Sequence, residues 1–174
     1  MLINLDDFSR MLKIERNYSD NTISAYLSDL KSFNVFLEKN KINFKDVILD
    51  DKHTKTFFRH LSKKKLSPRS VKRKFSSLSS YFIFLLDKKI IKNNPLNGIF
   101  TPKVPKALPE ILTIDEINKV FFESENTDNE LLGLRDRCIL EMLYSSGLRV
   151  SELCNLKINN IQFDLNLIRF FGKG

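Results

Sequence analysis

The stretch RDRCILEMLYSSGLRVSELCNL, Arg135 to Leu156, contains an apolar helical pattern that runs into a Ser-Ser-Gly break. Arg149 follows directly after this break, and a second, shorter apolar pattern begins behind it. A glycine that ends one helix just before the start of the next presents this single cation at a helix boundary. There the guanidinium could bind a phosphate bidentately or form a salt bridge with Glu152 or Glu141. The residues alone leave both roles open.

Downstream of this stretch, the runs INNIQF (158–163) and LIRFFG (167–172) are typical of β-strands, with a hairpin turn between them. Lys173 follows within GKG, where the flanking glycines permit close backbone approach to a ligand. We therefore expect Lys173 at the edge of a hairpin as a second candidate cation. A lysine in this position could equally be solvated.

Upstream, Thr113 and Glu116 form a capping box that predicts a helix to about Glu123. Further helices are predicted near 131–145 and 150–155. The first hundred residues predict four helices, since apolar residues recur there at helical spacing and Gly98 is the first glycine. These four cover 5–16, a longer span from Ser19 or Asp20 to about Leu37, 52–62, and a span from Pro68 to about Leu85.

The segment Asn93–Pro109 contains four of the five prolines and is predicted to form an extended, stiffened strap. It marks a domain boundary. The sequence therefore predicts a helical domain over 1–98, a proline-rich linker over 99–109 and a second domain over 110–174. The overall fold is expected to be mainly α, with one β-hairpin in the second domain.

The net charge of +8 is distributed unevenly along the chain. Residues 1–105 hold 21 Lys and Arg against 10 Asp and Glu, whereas residues 106–174 hold 8 against 11. Ten basic residues and no acidic one lie between Lys52 and Lys74. One-signed clustering of this kind is typical of proteins that bind a polyanion. A compositional bias towards lysine explains many of the cations, but not the absence of acids across this stretch.

The fourth helix carries most of this charge on the side opposite its apolar stripe. There, Lys and Arg side chains could contact the phosphates of a duplex, and small serines could contact its backbone or base edges. The alternative is a solvated helix face. The residues that we predict to contact DNA are Lys63, Lys64, Lys65, Arg69, Ser70, Lys72, Arg73 and Lys74.

Several other classes of protein have no support in the sequence. No run of 18 or more apolar residues predicts a membrane span. Cys138 and Cys154 are expected to be buried free thiols in a reducing cytoplasm, and no Cys/His spacing predicts a metal site. No phosphate loop and no GxSxG motif is present, so self-contained hydrolase chemistry is not indicated.

The order of these features resembles a tyrosine recombinase of the Xer type, within the phage integrase family. The resemblance rests on the basic helical domain, the strap ending KALPEILT (106–113), the GLRVSEL motif (147–153) preceded by RD and LY, and the closing GKG. It implies a four-helix SAM-like core-binding domain that precedes the first part of an α+β catalytic domain. It also implies duplex DNA as substrate, further recombinase protomers as partners in a tetrameric synapse, and no metal or nucleotide cofactor.

The resemblance also implies roles for two residues. In this family a tyrosine attacks the scissile phosphate and forms a 3′-phosphotyrosyl intermediate. Arg149 matches the first catalytic arginine, which stabilises charge on the phosphate oxygens. Lys173 matches the hairpin lysine, which protonates the leaving oxygen.

The family's His-x-x-Arg, its later His or Trp and its nucleophilic tyrosine do not occur within these 174 residues. We therefore expect this chain to bind DNA but not to cleave it alone. Two alternatives from other classes are a non-catalytic DNA-binding remnant that competes with an intact recombinase, and a protein–protein module whose basic face is incidental.

Overall fold

A computed structural model of the chain describes residues 2–99, 103–104 and 108–170. It divides into two compact units, Met1–Ala107 and Leu108–Gly174. The described residues form eight α-helices and one two-stranded sheet, so the predicted mainly α fold is confirmed. Lys173 lies outside the described residues, and its predicted position at a hairpin edge stays a prediction.

The first unit contains five helices where the sequence predicts four. The unpredicted one is a short helix whose start is stabilised by the Asn43 N–H, which donates to the Asp46 carboxylate over 3.2 Å. Phe44 and Val47, one turn apart, bury its apolar side. The five helices are α1 (Leu5–Ile14), α2 (Asp20–Lys39), α3 (Phe44–Leu49), α4 (Lys52–Lys63) and α5 (Pro68–Asp87).

The two longest helices begin where their capping residues predict. The Ser19 hydroxyl accepts the Thr22 N–H over 3.4 Å at the start of α2. At the start of α5 the Ser67 hydroxyl accepts the Ser70 N–H over 3.2 Å, and Pro68 occupies the first turn, where its missing N–H has no intrahelical partner to lose.

An aromatic core fixes α5 against α1 and α2. Phe8 on α1 lies edge-to-face with Tyr81 on α5, with 5.4 Å between ring centroids. Phe33 on α2 lies edge-to-face with Phe82 on α5 at 6.5 Å, and all four rings are fully buried. The buried Tyr81 hydroxyl donates to the Ile3 carbonyl over 2.8 Å and accepts the Ile3 N–H over 3.1 Å. These contacts set which side of α5 faces solvent, and therefore where its cations lie.

The start of the proline-rich segment is not an extended strap. Residues 95–98 form a turn in which Pro95 and Leu96 are buried, and the Thr54 hydroxyl of α4 donates to the Pro95 carbonyl over 2.5 Å. The prediction was wrong for this part because a buried apolar pair and a side-chain donor hold the turn against the helices. Most of the predicted linker 99–109 lies outside the described residues, and the proposed domain limits stay predictions.

The second unit follows the predicted element order, but its strands are shorter than predicted. Ile158–Asn160 forms a 3₁₀ turn instead of strand. Phe163 joins a second 3₁₀ turn, Phe163–Leu165, within the predicted hairpin connection. The remaining pair is antiparallel, with Ile161 opposite Ile168. The elements are α6 (Ile114–Glu125), α7 (Glu130–Ser146), α8 (Val150–Cys154), β1 (Ile161–Gln162) and β2 (Leu167–Ile168).

Most apolar side chains of this second unit are accessible. Leu148 is the one large apolar side chain that is buried among its described residues. Cys138 and Cys154 are free but exposed, so the prediction that they are buried was wrong. Tyr144 contacts Phe121 edge-to-face yet is 61% exposed. The helical pattern correctly identified an apolar face, but packing against α6 leaves much of that face accessible within the described residues.

Candidate functional site

The α4–α5 basic face consists of five exposed cations around the turn between these helices. Helix α4 ends at Lys63, and Lys65 adopts a left-handed conformation with φ of 53° that reverses the chain. Cations at the C-terminal end of α4 are favoured by its helix dipole. The members of this face are Lys63, Lys64, Lys65, Arg69 and Lys72. All five belong to the predicted DNA-contacting set.

Ser70, also in the predicted set, is half-buried in the N-terminal cap of α5. Its hydroxyl accepts a hydrogen bond from the Ser67 hydroxyl over 2.9 Å. Ser70 therefore helps to fix the start of the helix that carries Arg69 and Lys72.

The last two predicted contacts, Arg73 and Lys74, both bind Asp29 of α2. This carboxylate is 1% exposed and accepts from Arg73 Nη1 over 2.7 Å, from Lys74 Nζ over 2.9 Å and from the Ser77 hydroxyl over 2.9 Å. A buried carboxylate requires such partners, because losing its hydration is otherwise costly. Asp29 therefore fixes the register of α2 against α5.

The Asp29 network leaves its two cations in different positions. The Lys74 side chain is 12% exposed, so its ammonium group is committed to the interior. The Arg73 side chain is 46% exposed, and its Nη1 also donates to the Ala25 carbonyl over 3.2 Å. Arg73 keeps part of its guanidinium at the surface, whereas Lys74 contributes to packing.

A groove between α2 and α4 extends the positive surface beyond the predicted residues. It has a volume of about 380 Å³, and its lining includes Lys31, Lys39 and His60 together with Lys64. The His60 ring packs on Phe36 with 5.3 Å between centroids. Sequence reasoning missed the two α2 lysines, although their eight-residue spacing places them on one side of the helix.

In the second unit, Arg149 occupies the boundary between α7 and α8. Gly147, with φ of 64°, ends α7 in the left-handed conformation that glycine tolerates best. The Arg149 N–H donates to Glu152 Oε2 over 2.8 Å, and its Nη1 donates to Oε1 over 2.7 Å. One of the two salt bridges considered from the sequence is therefore formed, while the Arg149 side chain remains 73% exposed.

Glu152 is the buried member of this pair, with a side chain only 13% exposed. The hydrogen bond from the Arg149 backbone, followed by that from its guanidinium, lowers the pKa of Glu152 below its ordinary range. The carboxylate is therefore ionised at neutral pH. It orients Arg149 and leaves the outer edge of the guanidinium accessible to a ligand.

A cavity of about 500 Å³ opens beside Arg149. Its lining also includes Arg169, just after β2, and the amide side chains of Asn155 and Asn160. Sequence reasoning did not identify Arg169. The available signal was the position of Arg169 within the predicted run LIRFFG (167–172), which directly precedes Lys173.

Tyr26 and Tyr81 are shifted away from activation as nucleophiles. Burial raises the pKa of Tyr81 to about 12, and burial followed by the neighbouring Tyr18 raises the pKa of Tyr26. A phenol that attacks phosphorus needs the opposite shift or an adjacent base. Within the described ranges no group of three or more His, Cys, Asp or Glu side chains could hold a metal ion. No helix there is long and apolar enough to cross a membrane.

Comparison with known families accounts for this arrangement. Residues 5–89 match the family model "Phage integrase, N-terminal SAM-like domain", and residues 110–174 match "Phage integrase family". The chain belongs to the phage integrase family of tyrosine recombinases. The predicted SAM-like helical region followed by part of a recombinase catalytic domain is thereby confirmed.

Curated relatives include tyrosine recombinases of the Xer type. The chain is 43% identical to tyrosine recombinase XerC of Leptospira interrogans, over 96% of this chain and 53% of the relative. It is 35% identical to tyrosine recombinase XerD of Listeria innocua, over 98% of this chain and 57% of the relative. The chain therefore spans just over half the length of these relatives.

A solved structure of the Tn1549 transposon integrase, in complex with a circular intermediate DNA, superposes with a TM-score of 0.63. It covers 92% of this chain and 50% of that one at 17% identity, so the likeness concerns the fold.

Proposed function

We propose that this chain binds duplex DNA through the α4–α5 basic face and supplies the first phosphate-activating arginine of a site-specific DNA recombinase. The observation that carries the proposal is Arg149, held by the ionised Glu152 within a segment that matches the phage integrase family. Lys173 follows as the general acid of the same site.

The chemistry follows from the properties of a phosphodiester. Attack by a tyrosine hydroxyl on phosphorus breaks the bond to the 5′ oxygen and forms a 3′-phosphotyrosyl link. Negative charge develops on the phosphate oxygens, which a preorganised guanidinium stabilises. The ammonium group of Lys173 donates its proton to the leaving 5′ oxygen, and reversal with a second strand completes recombination.

The wider role that we propose is the breaking and rejoining of DNA in the manner of chromosome-dimer resolution or integration, in the cytoplasm. The proposed partners are duplex DNA and further recombinase protomers in a tetrameric synapse. The Xer relatives support a role in DNA recombination, since they are named tyrosine recombinases.

A salt titration of DNA affinity tests the binding part. Fluorescence anisotropy with a labelled duplex should show affinity falling steeply between about 50 and 200 mM salt, because each neutralised phosphate adds about 0.9 to the slope of log K against log salt. Lys72→Gln should reduce this slope by about one. Lys74→Gln is the matched control, since its ammonium group binds Asp29, and should leave the slope unchanged. Salt-insensitive binding, or none, contradicts the proposal.

Replacement of Arg149 tests the catalytic part in an enzyme completed with the C-terminal half of a Xer relative. Arg149→Ala should retain most of the DNA affinity and lose cleavage by at least about 10²-fold, the cost of removing one oxyanion-stabilising donor. Undiminished strand cleavage by this variant would refute the assignment.

A second candidate function is a non-catalytic DNA-binding protein that occupies recombination sites. The buried Tyr81 hydroxyl favours it, because this group is bound to both the N–H and the carbonyl of Ile3 and its pKa is raised. Adding the chain to an intact recombinase distinguishes the two. If the chain is a competing binder, it lowers the recombination rate in proportion to the fraction of DNA sites that it occupies. If it contributes to catalysis, it restores activity to a recombinase variant that lacks the first catalytic arginine.

A further inference from the structure

We propose that Arg169 is a second phosphate-binding cation in the Arg149 cavity and that, among the described residues of the lining, it supplies the net positive charge. This inference rests on the proposed phosphate contact of Arg149 and extends it. Its ligand is the backbone phosphodiester of duplex DNA that Arg149 also contacts.

The first argument is the charge of the cavity lining. Arg149 is paired through two hydrogen bonds with Glu152, so these two residues together contribute no net charge. Arg169 is the other cation among the described residues that line the cavity, and it brings the lining to +1. A phosphodiester carries a single negative charge, and this lining therefore matches it.

The second argument is the rigidity of the position that carries Arg169. Its backbone N–H donates to the Asn160 carbonyl over 2.9 Å, directly beside the paired residues Ile161 and Ile168. The Asn160 side chain is fixed in turn, because its Oδ1 accepts the Lys157 N–H over 3.1 Å. Arg169 therefore lines the cavity, together with Arg149, from an anchored backbone.

The third argument is the donor geometry of the cavity. Arginine presents a planar fork of N–H groups that binds phosphate oxygens bidentately. Asn155 forms another part of the lining and is fixed by its Nδ2, which donates to the Ser151 carbonyl over 2.7 Å. Glu152 holds the Arg149 guanidinium, so this group contacts a phosphate oxygen without a large loss of side-chain freedom. Arg169 adds a second fork of donors from an anchored backbone.

The test compares Arg169→Gln and Arg169→Lys with Arg135→Gln in the full 174-residue chain. Arg135 is the matched control because it is an exposed arginine of the same unit, paired with Asp136 and outside the cavity lining. Far-UV circular dichroism and amide NMR spectra establish that each variant is folded.

Duplex DNA titrations should show that Arg169→Gln loses about tenfold in affinity and about one unit of salt slope. Arg169→Lys should keep the slope and lose part of the affinity, which a purely structural role of the guanidinium would not produce. Arg135→Gln should behave as the unmodified chain. The inference is overturned if Arg169→Gln and Arg135→Gln have the same slope and affinity.

A second measurement separates this inference from the proposed function. Dimethyl phosphate is added to the chain while the Nε–Hε NMR signals of Arg149 and Arg169 are observed. Saturable shifts of both signals, with the Arg149 shift weakened in Arg169→Gln, support the shared cavity even if duplex DNA does not bind. An unchanged Arg169 signal overturns the inference even if duplex DNA binds with a steep salt dependence. The inference is also overturned if inorganic phosphate shifts both arginine signals as much as dimethyl phosphate does while duplex DNA shifts neither. That result indicates a site for free phosphate.

Discussion

The two units of this chain differ in how they stabilise the charged groups that matter for function. In the first unit, Asp29 of α2 binds Arg73 and Lys74, which lie on the sequence-distant helix α5. The core around this network contains fully buried aromatic rings. In the second unit, Glu152 binds an arginine three residues away, and most apolar side chains around it are accessible. The first arrangement depends on tertiary packing, whereas the second requires one helical turn.

The largest expected difference between the units lies in their cores. Phe33→Ala should lower the free energy of unfolding of the first unit by about 3–5 kcal/mol, because it removes a fully buried ring. Tyr144→Ala, the aromatic truncation in the second unit, should cost less than about 1 kcal/mol, since Tyr144 is 61% exposed. Amide hydrogen exchange followed by mass spectrometry reports the two units separately. Equal loss of protection in both variants would remove the distinction.

A smaller difference is expected between carboxylates. Asp29→Asn leaves two cations beside a neutral amide in a buried position, and should cost about 3 kcal/mol. Asp136→Asn is the control in the second unit. Its pair with Arg135 is exposed on both sides, so the change should cost less than about 1 kcal/mol. Chemical denaturation measures both, and a similar cost for the two variants would show that the Asp29 network stabilises little.

The same contrast explains which features the sequence could predict. The caps at Ser19, Ser67 and Thr113 act over three residues, so a local pattern is sufficient to identify them. The partners of Asp29 lie more than 40 residues away on α5. An acid in the middle of an apolar helical stripe was the available signal, but it does not identify the partner helix.

Burial was predicted correctly where a face meets another helix and wrongly where it does not. Phe33 on α2 and Phe82 on α5 lie on the apolar sides of their helices and are fully buried. Cys138 shows the same helical periodicity and is nevertheless exposed. Periodicity identifies the apolar side of a helix, whereas burial also depends on a second element that covers this side. Arg149 was identified because a glycine break and a short helix surround it, both of which are local signals.

The smallest expected effect is a change in the pKa of Glu152 when its partner Arg149 is replaced. Arg149→Ala removes the guanidinium bond but keeps the backbone N–H, which is the larger cause of the lowered pKa of Glu152. The pKa of Glu152 should therefore rise only part of the way towards its ordinary value near 4.5. Glu116, whose pKa is lowered by the backbone and hydroxyl of Thr113, is the internal control and should not change.

The sign of the effect on stability follows from these shifts. A carboxylate with a lowered folded-state pKa stabilises the fold above its ordinary pKa, and this contribution is lost as pH falls through the lowered value. Arg149→Ala should therefore reduce the loss of folding stability that protonation of Glu152 causes at acid pH. The corresponding loss from Glu116 should not change. Carboxyl ¹³C NMR titration of both residues measures this directly. If the pKa of Glu152 returned fully to its ordinary value, the guanidinium would be its main partner, and Arg149 would be less free to bind a phosphate than its exposed edge indicates.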